Sequence, residues 1–101
     1  MAYILTVEIR RTDEFDDWLK GLKDVQAKLR IVKRLQRVED GNFGDHASVG
    51  DGVSELRLHH GPGYRVYYAL RGEMLVVLLG GGIKDSQDRD IEKAKALAKE
   101  V

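Results

Sequence analysis

The chain has 101 residues, 34% charged and 43% hydrophobic, and its 17 basic and 17 acidic side chains cancel to a formal net charge of zero. That is one domain's worth of core over residues 1–101, too apolar to be disordered and without the overall positive charge of a general nucleic-acid binder. Cysteine is absent, which removes disulfides, thiolate nucleophiles and thiolate metal sites, and no apolar run is long enough to cross a bilayer or act as a signal peptide, so a cytoplasmic location is expected.

The β-branched run from Tyr3 to Ile9 reads as a first strand. Thr12 follows as a helix N-cap, with Asp13 and Glu14 in the first turn, where the helix dipole favours acids. Phe15, Trp18, Leu19 and Leu22 recur at helical spacing and predict one buried stripe, and Gly21 ends or bends that helix. Asp24 can cap a second, longer helix. Its expected buried side is Val25, Leu29, Val32 and Leu35, with Ile31 and Val38 at the margin and Arg30, Lys33, Arg34 and Arg37 opposite. The charge is therefore uneven. Asp13, Glu14, Asp16 and Asp17 cluster early, whereas Lys20 to Arg37 is basic with Asp24 alone against it.

A turn-rich segment, Glu39 to Asp45, carries Phe43, which is expected to pin it to the core. His46 to Val49 predicts a short strand. Then Ser54 to Tyr68 reads as a β-hairpin hinged on Gly61-Pro62-Gly63. Alternation puts Leu56, Leu58, Tyr64, Val66 and Tyr68 on an apolar face, and Glu55, Arg57, His59, Arg65 and Tyr67 on a polar one. Met74 to Leu79 lacks alternation and predicts a strand covered on both faces. Gly80-Gly81-Gly82 matches neither the Walker nor the dinucleotide pattern, so it predicts a backbone passing close to another element. Ser86 or Asp88 can cap a last helix bearing Ile91, Ala94, Leu97 and Val101 on one side. The order β-α-α-β-β-β-β-α describes an α+β domain: an N-terminal strand and helical hairpin packed on a mostly antiparallel sheet, with a C-terminal helix.

The polar face of the hairpin is the candidate site. Arg57, Arg65 and, beyond the next strand, Lys84 can grip a phosphodiester and stabilise charge developing on it. A histidine or tyrosine beside them, His59 or Tyr67, could move protons. No spaced His/carboxylate set calls for a metal, no cofactor motif is present, and cleavage of RNA would proceed by 2′-hydroxyl attack. Arg30, Lys33, Arg34 and Arg37 form either a solvated helix face or a substrate-binding surface. Arg57 and Arg65 have a plainer alternative, pairing with Glu55 or Asp45.

Gly41-Asn42-Phe43-Gly44-Asp45, Val53-Ser54-Glu55-Leu56-Arg57, Gly61-Pro62-Gly63-Tyr64-Arg65-Val66-Tyr67, Leu78-Leu79-Gly80-Gly81 to Lys84, and Asp90-Ile91 together resemble the HigB-like branch of the RelE/ParE toxin superfamily. These are the addiction-module killer proteins of bacterial type II toxin–antitoxin systems. The resemblance spans nearly the whole chain. It implies a helical hairpin against an antiparallel sheet, and an endoribonuclease (mRNA interferase) that cuts messenger RNA on the ribosome. It also implies a cognate antitoxin, often a helix-turn-helix DNA-binding protein, and no membrane partner. Arg65 matches the arginine of the family's Gly-Tyr-Arg segment, and Arg57 and Lys84 fall where the family places further cations. The departure is at proton transfer: where relatives carry a tyrosine, or a histidine or aspartate, Lys84-Asp85-Ser86-Gln87-Asp88 holds no tyrosine or histidine, which makes His59, Tyr67 and Asp85 the candidates. A ParE-like inhibitor of DNA gyrase is the alternative on the same fold, and an inactive relative that only binds the antitoxin is a third.

Overall fold

A computed structural model describes residues 6–101. The elements are β1 (Glu8–Arg11), α1 (Asp13–Gly21), α2 (Val25–Glu39), β2 (His46–Gly50), β3 (Val53–Leu58), β4 (Tyr64–Arg71), β5 (Leu75–Ile83) and, after a single 3-10 turn, α3 (Gln87–Ala98). The expected order holds. Among the described residues the first strand is Glu8–Arg11, two residues past the expected end at Ile9, and the part of that expectation falling on Tyr3 to Leu5 is outside the described residues. The sheet order is β1-β5-β4-β3-β2, antiparallel except where β1 runs parallel to β5.

Both helix starts follow from local chemistry. The Thr12 hydroxyl accepts from the Phe15 N–H at 3.2 Å and itself donates to the Leu78 carbonyl, tying the start of α1 to β5. Asp24 accepts from the Ala27 N–H at 3.2 Å. Alternation along β3 and β4 sorts the sheet as read: Leu56, Leu58, Tyr64, Val66 and Tyr68 join Phe15, Leu19 and α2 in one core. Half-buried Phe43 packs on that core, its ring 5.7 Å from that of Tyr68.

The other sheet face departs from expectation. It is covered: α3 lies on it, and Val53, Tyr67, Ala69, Val77 and Leu79 pack with Ala94 and Ala98 in a second core. The small alanines let the helix sit close to the strands.

Two further expectations are corrected. The glycines lie inside β5, which runs on to Ile83, rather than after it. A Cβ on Gly81 would overlap the Trp18 ring of α1, and one on Gly82 would overlap the Asp90 carboxylate of α3. At Gly81 the strand passes too close to the Trp18 ring for any side chain, which is the close passage the triple glycine suggested; at Gly82 the obstacle is the movable Asp90 carboxylate. In α2, the buried residues are Ala27, Ile31, Leu35 and Val38, while Val25, Leu29 and Val32 are exposed. At roughly 100° per residue, the apolar side chains of α2 spread over an arc of about 200°, wider than one packed face, so periodicity does not choose the packed third. Rotation about the axis is set by tethers. Arg34 donates to the carbonyls of Phe43, Arg57 and Asp45, and His60 bonds the capping Asp24.

Candidate functional site

Across the centre of the sheet, Arg57 stands opposite Arg65, and Arg65 opposite Gly82; one row over, Glu55 faces Tyr67. Directly paired residues project from the same side, so both arginines do share a face. What they converge on is Glu55. Its Oε2 lies 3.0 Å from Nε of Arg65 and 3.3 Å from Nε of Arg57, and its Oε1 accepts from Nε2 of Gln87 in the first turn of α3 at 3.1 Å. Glu55 is buried, and α3 closes over it. The Arg65 side chain is only 10% exposed, against 36% for Arg57. Ion pairing with Glu55 and Asp45, the plainer of the two sequence readings, is thus realised, and Arg57 is the member of the pair that solvent reaches. Nε of Arg65 makes no aligned hydrogen bond despite its short separation from the carboxylate. The contact is a charge pairing more than a directed bond.

Tyr67, expected on an accessible polar face, is fully buried in the α3 core. Its hydroxyl has no partner among the described residues. Burial, reinforced by the Glu55 and Asp90 carboxylates, pushes the phenol well above its ordinary value. It is therefore neutral, and out of reach of a substrate as the chain stands. Sequence alternation assigned its face correctly but could not say that a helix covers that face.

His59 follows the end of β3 and is exposed. Its Nε2 lies 2.7 Å from Asp45 Oδ2, while Asp45 Oδ1 lies 3.6 Å from Nη1 of Arg57. One carboxylate thus holds an imidazole and a guanidinium side by side at the surface. The hydrogen bond from His59, with the charges of Arg57 and Arg34 adding, holds the Asp45 carboxyl below the usual carboxylate range. Asp45 had no functional reading in the sequence beyond ion pairing, because its partners are remote along the chain. A histidine and an arginine predicted on one strand face were the available signal.

The four cations of α2 come together. Arg30, Lys33, Arg34 and Arg37 line an open groove of about 400 Å³ with Gln26, Leu29, Leu58, His59 and His60. Arg34 differs from the other three. Its guanidinium is engaged by three main-chain carbonyls, at 3.0 Å (Phe43), 2.9 Å (Arg57) and 2.6 Å (Asp45), and burial draws its pKa down. It is a structural clamp. Arg30, Lys33 and Arg37 are exposed and make no ion pair among the described residues. His59 belongs both to this groove and to the Asp45–Arg57 cluster, so the two are continuous. Lys84 is exposed on the 3-10 turn, its N–H bonded to the Gly63 carbonyl at 2.8 Å at the hairpin tip, and Asp85 beside it is exposed. No cluster of three or more His, Asp or Glu side chains able to hold a metal ion occurs among the described residues.

Residues 17–100 match the family described as phage-derived protein Gp49-like (DUF891). The chain belongs to the Gp49-like family. An uncharacterised protein of Haemophilus influenzae (strain ATCC 51907 / DSM 11121 / KW20 / Rd) is 50% identical to it over 97 residues, 96% of this chain and 98% of that one. Among solved structures, an arginine-to-alanine double mutant of the Escherichia coli toxin RelE in the free state superposes with a TM-score of 0.70. It covers 90% of this Gp49-like chain and 97% of RelE, at 15% identity. The RelE fold expected from the motif set is therefore the fold of this chain. At that identity the likeness concerns the arrangement of elements and carries no residue role.

Proposed function

We propose that the chain is the toxin of a bacterial type II toxin–antitoxin pair, of the HigB-like kind, and that it is an endoribonuclease acting on messenger RNA at the ribosome. Three supports point the same way: the motif set, the RelE-like fold, and a cationic groove leading to a polar cluster. The observation that carries the nuclease reading is the shared Asp45 carboxylate, which presents His59 and Arg57 together to solvent.

In this reading the groove cations Arg30, Lys33 and Arg37 hold the RNA backbone through its phosphates. Arg57 contacts the scissile phosphate, with Lys84 adding charge from the adjacent turn, while Arg65, neutralised by Glu55, stays beneath as part of the support under Arg57. Asp45 accepts a hydrogen bond from Nε2–H of the neutral His59 tautomer, which leaves Nδ1 with a lone pair able to take the proton of a 2′-hydroxyl. The 2′-oxygen then bonds the neighbouring phosphorus, the bond to the 5′-oxygen breaks, and water protonates the departing alkoxide. The chemistry uses only protein groups and substrate. Proton transfer thus moves away from the C-terminal segment, where relatives carry a tyrosine or histidine, to the β2–β3 end of the sheet.

The test is brief induction without antitoxin, followed by mapping of new RNA 5′ ends. Cleavage within translated transcripts is expected, falling on the order of 10²-fold or more in His59→Ala, as removal of a general base requires. Arg57→Ala should lose activity while circular dichroism stays native. Arrest with intact transcripts and blocked supercoiling by gyrase would replace this reading with the ParE-like one.

A further inference from the structure

The stripe that periodicity assigned to the core of α2 is at the surface. Val25, Leu29 and Val32 are 65%, 51% and 39% exposed, and they account for half of the large hydrophobic side chains found exposed in the described chain. Burial of α2 is already satisfied elsewhere, by Ala27, Ile31, Leu35 and Val38. The helix therefore carries a second apolar face with no partner. Its spacing is four then three, continued to Gln36 by four more. That is the seam spacing of a helix pair, where side chains at every third or fourth position meet holes on a facing helix.

The surroundings say which kind of partner fits. Lys33 flanks the stripe on one side and Lys28 on the other, with Arg30 beyond Lys33. Leu29 forms part of the wall of the basic groove, and Val32 borders a smaller groove of about 240 Å³ between α2 and β1. A helix laid along Val25, Leu29 and Val32 would meet apolar side chains at its centre and Lys33 on one margin. On the other it would meet Lys28, whose ammonium also bonds the Lys20 carbonyl at 3.0 Å. Gln36 and the acidic Glu39 end the stripe at the far end of α2. A second copy of this chain packed there by two-fold symmetry would set Lys28 and Lys33 against their own counterparts, a like-charge arrangement that charge complementarity disfavours.

We propose that the outer face of α2, centred on Leu29, is the docking surface for an amphipathic helix of another protein, apolar along its centre and lined by glutamate or aspartate on its flanks. The inference concerns the surface of α2 away from the sheet and does not rest on RNA cleavage. Its energy comes from covering Val25, Leu29 and Val32, and its selectivity from the cations at their margins.

The probe is a synthetic peptide of about three heptads with leucine at the two seam positions and glutamate at the two flanking ones. Its binding to the full chain is read by fluorescence anisotropy, beside a control peptide that keeps the glutamates but carries serine along the seam. The expected result is saturable binding of the first peptide, at least about tenfold weaker binding of the control, and at least about tenfold loss in Leu29→Glu. Leu70→Glu, on an exposed apolar residue of β4, should bind as the wild type does. Equal binding of the two peptides would overturn the proposal in favour of bare charge attraction. Undiminished binding by a natively folded Leu29→Glu would place the contact elsewhere. Sedimentation showing a dimer that Leu29→Glu dissolves would assign the stripe to a second copy instead.

Discussion

Replacing Glu55 by alanine should be the most damaging single change on the α3 side of the sheet. The carboxylate is the only acidic group paired with Arg65 among the described residues, and it also accepts from Arg57 and Gln87. Arg57 keeps Asp45 as a second partner and has solvent beside it. Arg65 has neither, so the variant leaves a guanidinium beneath α3 with nothing to neutralise it. Breaking a buried pair from one side costs about 3–5 kcal/mol, most of it the penalty of the orphaned charge. Against a total stability of about 5–15 kcal/mol for a domain, that is a large fraction. At about 4–8 °C per kcal/mol for a chain of this size, the melting temperature should fall by roughly 12–40 °C. Urea unfolding followed by circular dichroism measures it directly. The double variant Glu55→Leu with Arg65→Met should recover most of the loss, because an apolar pair removes both charges together. A loss under about 1 kcal/mol in Glu55→Ala would refute the argument, since it would mean that Arg65 reaches water without moving the helix.

Three other outcomes follow from the same geometry. Gly81→Ala should destabilise by about 1–3 kcal/mol, because the new methyl must displace the rigid Trp18 ring; the emission of that indole, the chain's one tryptophan, should shift with it. Arg34→Lys should cost about 1–3 kcal/mol in urea unfolding, since an ammonium cannot span the three carbonyls that the planar guanidinium joins. The Asp45 carboxyl sits below its usual range because His59 and Arg57 favour its ionised form, so its contribution to stability is present above the unfolded value near 3.8 and lost as pH falls through the lower folded value. Melting curves of wild type and Asp45→Asn should therefore converge on acidification below about pH 4. A gap that widens there would contradict the assigned pairing.

Much was legible before any coordinates. Thr12 and Asp24 cap the helices they were expected to cap, because an N-cap is decided within a single turn. The faces of β3 and β4 followed from alternation, since a pleated strand leaves no freedom in which residues share a side. The paired arginines and the close passage at the triple glycine were readable for the same local reasons.

Whatever depended on which element covers which was not readable. Nothing in the spacing of Arg65 and Tyr67 announces that α3, arriving some twenty residues later, lies over them with an alanine face. Nothing in α2 selects Ile31 over Leu29 for burial, because both belong to plausible apolar stripes and the choice rests on Arg34 and Asp24 bonding to segments distant in sequence. The sequence by itself determined the elements, the caps of α1 and α2 and the side of the sheet each residue occupies, because these are fixed by interactions within a turn or a strand; at α3 the Ser86 hydroxyl makes no capping bond and donates to Asp90 instead. Only the tertiary structure decided that Glu55 neutralises the arginines, that Asp45 joins His59 to Arg57, and that α2 keeps an apolar face in water, because each depends on contacts between segments that no local periodicity encodes.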